Sequence, residues 1–183
     1  MALGPANPTP NATVSQWLAT VHFPNCPPAK PGANLPAIDP AALAVRFWRT
    51  IPLPVPRPTI PPGYAVTGKT AYLVTNGTTE PPAYVDNTPL GQITVQARGT
   101  YLVDWGDDTQ PVWTGPYAEE GQPWPNGQIT HTYDVAGSYT VAVQEGWTAV
   151  WHLGGTNGTL TGLRTTAAIP NFKVEQLQAV ITN

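Results

Sequence analysis

Proline is unevenly distributed along this chain, and that limits where a sheet can form. Fifteen of the 23 prolines fall within residues 1–62. Each one fixes φ and lacks the N–H that a central strand must donate. Residues 1–62 therefore read as a proline-rich N-terminal arm, and residues 63–183 as the folded domain. Two short helices fit inside the arm. The weaker covers 14–20, capped by Asn11 or Thr13, with Trp17 and Leu18 as its apolar content. The better signalled one has Asp39 as N-cap and Pro40 at the first helical position, and runs without a breaker through 41–50. Leu43, Phe47 and Ile51 recur at helical spacing with Ala44 and Trp48 beside them, an apolar face suited to docking on the following domain or on a partner. The alternating prolines of 52–58, followed by Pro61 and Pro62, favour an extended polyproline II spacer.

From Tyr64 the period changes to two. Expected strands cover 65–75, 91–96, 99–105, 128–133, 138–144, 147–153, 160–168 and 174–182. Turn dipeptides such as Asn76-Gly77, Ala136-Gly137 and Gly154-Gly155 separate them. Tyr139, Val141 and Val143 fall on one face, with Ser138, Thr140 and Ala142 on the other, as a half-buried antiparallel strand requires. Pro89 and Pro170 are placed to protect edges. Short strands at regular spacing with no helix between them predict an all-β sandwich.

Composition narrows the function. Charged residues are 10% of the chain, against roughly a quarter in ordinary domains. Seven Trp and seven Tyr require a real core. A net charge of −3 offers no basic face for phosphate, so nucleic acid is not an expected partner. No apolar run is long enough to span a bilayer. The start, Met1-Ala2-Leu3-Gly4-Pro5, has no basic or apolar stretch, so no signal peptide is visible. The Thr, Gly and Pro usage nonetheless favours an extracellular or cell-surface chain whose leader has been removed over a cytosolic one. Cys26 stands alone, which leaves no internal disulfide and makes it a small thiol. The Asn-x-Thr triplets at Asn11, Asn76 and Asn157 read first as turn chemistry.

Two segments belong together. The first is Tyr101-Leu-Val-Asp-Trp-Gly-Asp-Asp-Thr109, and the second Thr130-His-Thr-Tyr-Asp-Val-Ala-Gly-Ser-Tyr-Thr-Val141. Gly106 permits a tight turn straight after a strand, and Asp104 and Asp107 are placed to bond backbone N–H groups there. The pair resembles the hallmark of polycystic-kidney-disease (PKD) domains, with Trp105, Gly106, His131, Tyr133, Gly137 and Tyr139 as its fold residues. That resemblance covers roughly residues 64–150. It implies an immunoglobulin-like antiparallel β-sandwich, with one or two strands added at the C-terminus. Asp108 departs from it, standing where a second Gly is expected, as does the long stretch of 110–130. The layout is also similar to secreted or surface proteins of actinobacteria that carry a proline-rich arm, some of which accompany Tad-type pilus assembly.

No catalytic constellation accompanies these motifs. His22, His131 and His152 lie in separate segments without metal-ligand spacing. No nucleophile elbow, zinc helix or phosphate loop occurs. Asp104, Asp107 and Asp108 are a candidate Ca²⁺ set, weighed against turn-capping carboxylates, with Glu119 and Glu120 nearby. Trp113, Tyr117 and Trp124, in the Pro/Gly-stiffened stretch 112–127, are the candidate binding aromatics, weighed against a cap over the sandwich end. Trp147 and Trp151 are expected to pack in the core. The expected function is a non-catalytic structural or protein-interaction module with other protein subunits as partners, in a homo-oligomer or surface assembly. The alternative is a carbohydrate-binding module holding polysaccharide through the loop aromatics.

Overall fold

The computed structural model describes residues 37–177. The helix expected over 14–20, His22, Cys26 and the end of the last expected strand (178–182) lie outside the described residues. Helix α1 (Pro40–Trp48) forms where its signals put it. The Asp39 carboxylate accepts the Ala41 N–H at 2.9 Å, and Pro40 begins the first turn. Ala44 and Trp48 are buried, with Leu43 and Phe47 packed alongside, so its apolar face docks on the body of this same chain.

Eight strands follow: β1 (Tyr64–Val66), β2 (Thr70–Tyr72), β3 (Tyr84–Thr88), β4 (Gly91–Asp104), β5 (Trp113–Tyr117), β6 (Thr130–Thr132), β7 (Gly137–Leu153) and β8 (Thr156–Glu175). Six strands make one curled sheet in the order β1-β8-β7-β4-β3, with β5 also on β4, while β2 and β6 form a separate pair. β1 runs parallel to β8 and every other pair is antiparallel, so the large sheet is mixed. The described chain is thus all-β apart from α1, as expected.

The strands differ in length from those expected. β4, β7 and β8 have 14, 17 and 20 residues and run straight through the breaks placed at 97–98, 145–146 and 169–173. Gly99, expected to open a strand, and Gly146, at an expected break, both lie inside continuous strands. At Gly99 the missing side chain gives room to a neighbour, because a Cβ there would overlap the Glu145 carboxylate. The expected strand 65–75 instead divides into β1 and β2, at a turn where Gly68 takes φ +70°.

Unbroken alternation gives β4 and β7 one continuous inner face. Ile93, Val95, Ala97, Tyr101 and Val103 line it from β4; Val141, Val143, Trp147, Ala149, Trp151 and Leu153 line it from β7. At about 3.3 Å per residue β7 is roughly 55 Å long, whereas a nine-residue helix covers about 14 Å. Two cores therefore form on one face. Tyr101, Val103, Val141 and Val143 pack with Ala65, Ala71, Leu73, Ile129 and Tyr133 in the first. Ile93, Val95, Trp147, Trp151 and Leu153 pack with α1 in the second, where the Trp48 indole N–H donates to the Thr161 carbonyl at 3.3 Å.

Candidate interaction surface

The quoted motif builds a corner at one end of β4. After Asp104 the chain turns through Gly106 at φ +76°, and the Asp104 carboxylate accepts the Gly106 N–H at 3.1 Å. Glycine is needed there twice over: the φ is left-handed, and a Cβ would overlap the Thr140 carbonyl. His131, on β6, stacks on Trp105 with ring centroids 4.9 Å apart and 14° between planes. Its Nε2 lies 2.7 Å from the Asp107 carboxylate. Tyr133 is fully buried and donates its hydroxyl to the Trp105 carbonyl at 3.1 Å. Burial, with the Asp107 charge adding to it, pushes that hydroxyl's pKa up. The Tyr133 ring meets Trp105 edge-on and stacks on Tyr139, whose own hydroxyl donates to the Val135 carbonyl at 2.8 Å. Gly137 lies under the Tyr139 ring. All six motif residues meet in one aromatic cluster.

The candidate cation set is engaged otherwise. Asp104 caps a backbone N–H and Asp107 faces His131, while Asp108 is solvent-exposed. Among the described residues no three His, Cys, Asp or Glu side chains converge as a ligand set. The aromatic stretch is not a single loop, because 113–117 is strand β5, paired with β4. Tyr117 packs against the first core, whereas Trp113 is 42% and Trp124 74% exposed. The structure thus separates one packing ring from two accessible ones. His152 is exposed; Trp147 and Trp151 are buried.

Two features escaped the sequence. The first is the outer edge of β8. β7 pairs with β8 from Thr156 to Val174, but on the other side β1 meets only Lys173, Val174 and Glu175. Trp48 reaches the Thr161 carbonyl. Between these, residues 163–168 (Leu-Arg-Thr-Thr-Ala-Ala) are half-buried or exposed, and among the described residues no strand pairs with their outer side, opposite β7. The second is Glu145, completely buried on β7. A signal for it existed. It occupies an inward position between Val143 and Trp147, so alternation continued across 144–147 would have placed it inside.

The described residues contain no helix long and apolar enough to cross a membrane. The chain matches no protein-family model, no curated protein and no solved structure.

Proposed function

We propose that this protein is a non-catalytic structural or protein-interaction module of the cell surface or extracellular space, a PKD-like sandwich behind a proline-rich arm. In this reading it joins other protein subunits by strand addition along β8. The outer edge at 163–168, unpaired among the described residues, carries the proposal. Natural sheets blunt such edges with charges, prolines, bulges or covering elements. Here one charge, Arg164, and the nearby Pro170 are the blunting residues, set among β-favouring threonines and small alanines. An extended segment that pairs there satisfies main-chain groups that otherwise face water, the physical basis of β-augmentation. The employment of His131 supports a non-catalytic role, since its ring is stacked on Trp105 and held by Asp107.

The test introduces Thr166→Lys with Ala168→Lys, both at exposed positions, and compares native masses of assemblies recovered from the protein's own source. The expected result is a wild-type chain in complexes and a lysine variant that is folded but monomeric. A wild-type chain that is monomeric and partner-free sinks the reading. The exposure of Trp113 and Trp124 favours one second reading, polysaccharide stacking on flat aromatic faces. Full polysaccharide retention by Trp124→Ala would exclude it.

A further inference from the structure

Glu145 lies where the two cores meet, and no hydrogen bond explains it. Its neighbours across the sheet are Tyr101 on β4 and Thr165 on β8. Both carboxylate oxygens and the Tyr101 hydroxyl are buried without a hydrogen-bond partner. The Thr165 hydroxyl already accepts the Trp147 indole N–H at 3.0 Å. A strap formed by residues 75–79 lies above. Thr75 is fully buried, and its N–H and hydroxyl both bond the Glu120 carbonyl at 2.8 Å. At the far end of the strap the Thr79 carbonyl accepts the Gly99 N–H at 2.8 Å. Two glycines make room for the polar pair. A Cβ on Gly99 would overlap the Glu145 carboxylate, and one on Gly77 would overlap the Tyr101 hydroxyl.

We propose that Glu145 is a proton-binding site that seats the 75–79 strap: protonated, the seam between the cores is neutral and closed; ionised, it carries an unpaired buried charge that loosens the strap. The space left by Gly99 is filled by the carboxylate itself and that left by Gly77 by the tyrosine hydroxyl, so the site admits a proton and nothing larger. The titratable groups acting on it are Tyr101 from β4 and Glu120 from the segment after β5. β8 and the strap present the uncharged Thr165, Thr75 and Gly77. Among these no cation compensates the charge, and Glu120 makes it costlier. Burial pushes the carboxyl up from 4.5 to about 7, with the Glu120 charge adding to it and the neighbouring Tyr101 and Thr165 hydroxyls acting the other way.

The sign follows from linkage. Below 4.5 both the folded and unfolded forms are protonated, and the fold has its full stability from this group. Between 4.5 and about 7 the unfolded chain releases its proton while the folded one keeps it, so stability falls as pH rises. Above about 7 both are ionised and the loss levels off. The contribution of Glu145 to stability is therefore largest in acidic surroundings.

Urea unfolding of the full chain from pH 4.5 to 8.5, for wild type and Glu145→Gln, tests this. The expected result is a rise in the wild-type unfolding constant, relative to the variant, on the order of a hundredfold between pH 4.5 and 7. Parallel curves overturn the proposal. Should the glutamine variant not fold, the infrared carbonyl stretch of wild type with isotope-labelled glutamate decides: a protonated carboxyl at pH 6 supports the site, and its absence overturns it. Amide exchange at Thr75 and Gly99, corrected for base catalysis, is expected to quicken above neutrality in wild type. Unchanged protection there overturns the role of the strap.

Discussion

Tyr133 at the corner and Tyr101 at the seam are both completely buried in the first core, yet their hydroxyls are treated differently. Tyr133 donates to the Trp105 carbonyl, one bond in a set that includes the Gly106 N–H to Asp104, His131 paired with Asp107, and the Tyr139 hydroxyl to Val135. Tyr101 has no partner, and beside it Glu145 has none either. Buried polar groups stabilise only when satisfied; an unsatisfied one costs its desolvation. The corner is therefore a pinned joint, and the seam a place where the protein tolerates a polar cost between two apolar cores.

Substitutions can break or sharpen that contrast. The largest effect is expected at the corner's pivot. Gly106→Ala combines a left-handed φ with overlap on the Thr140 carbonyl and should cost about 3 kcal/mol or more, read by chemical denaturation. A loss under 1 kcal/mol would mean that the turn relaxes freely and the joint is not pinned. Next comes the pair of tyrosines. Tyr133→Phe should lose about 1–2 kcal/mol, because it leaves the buried Trp105 carbonyl without its donor. Tyr101→Phe should cost less than about 0.5 kcal/mol, because its hydroxyl makes no hydrogen bond whose loss would leave a partner bare. Equal losses at both sites would erase the distinction between joint and seam. A smaller effect belongs to α1, which covers the second core: Asp39→Ala removes the cap on Ala41 and should cost about 1 kcal/mol. The smallest is Trp124→Ala, expected within about 0.5 kcal/mol because the ring is 74% exposed.

The corner was legible because its chemistry is local. An aromatic-Gly-Asp turn and a Gly-x-Tyr hairpin prescribe backbone shape within a few residues, and the partners they name in sequence are those that meet. The cap on α1 was legible for the same reason. Strand lengths were not, because glycine breaks a strand in one setting and admits a neighbour in another. Gly68 opens a turn, whereas Gly99 stays in the ladder to accommodate Glu145, 46 positions further on. Placing a break at 145–146 hid Glu145, the one buried carboxylate among the described residues. The aromatic stretch divided for a similar reason: β5 pairs with β4 and draws Tyr117 inward, while Trp124, beyond the strand, stays outside.

The sequence by itself determined that the arm could not supply central strands, that the remainder alternates, and that Gly106 sits in a tight turn, because φ restriction, side-chain period and turn chemistry act over a few residues. Only the tertiary structure decided that one face of a long sheet needs two covers and that, among the described residues, β8 keeps an unpaired outer edge and Glu145 lies between the covers without a hydrogen-bond partner. Those outcomes depend on which distant segments arrive to fill space and satisfy hydrogen bonds, and spacing along a chain does not encode that.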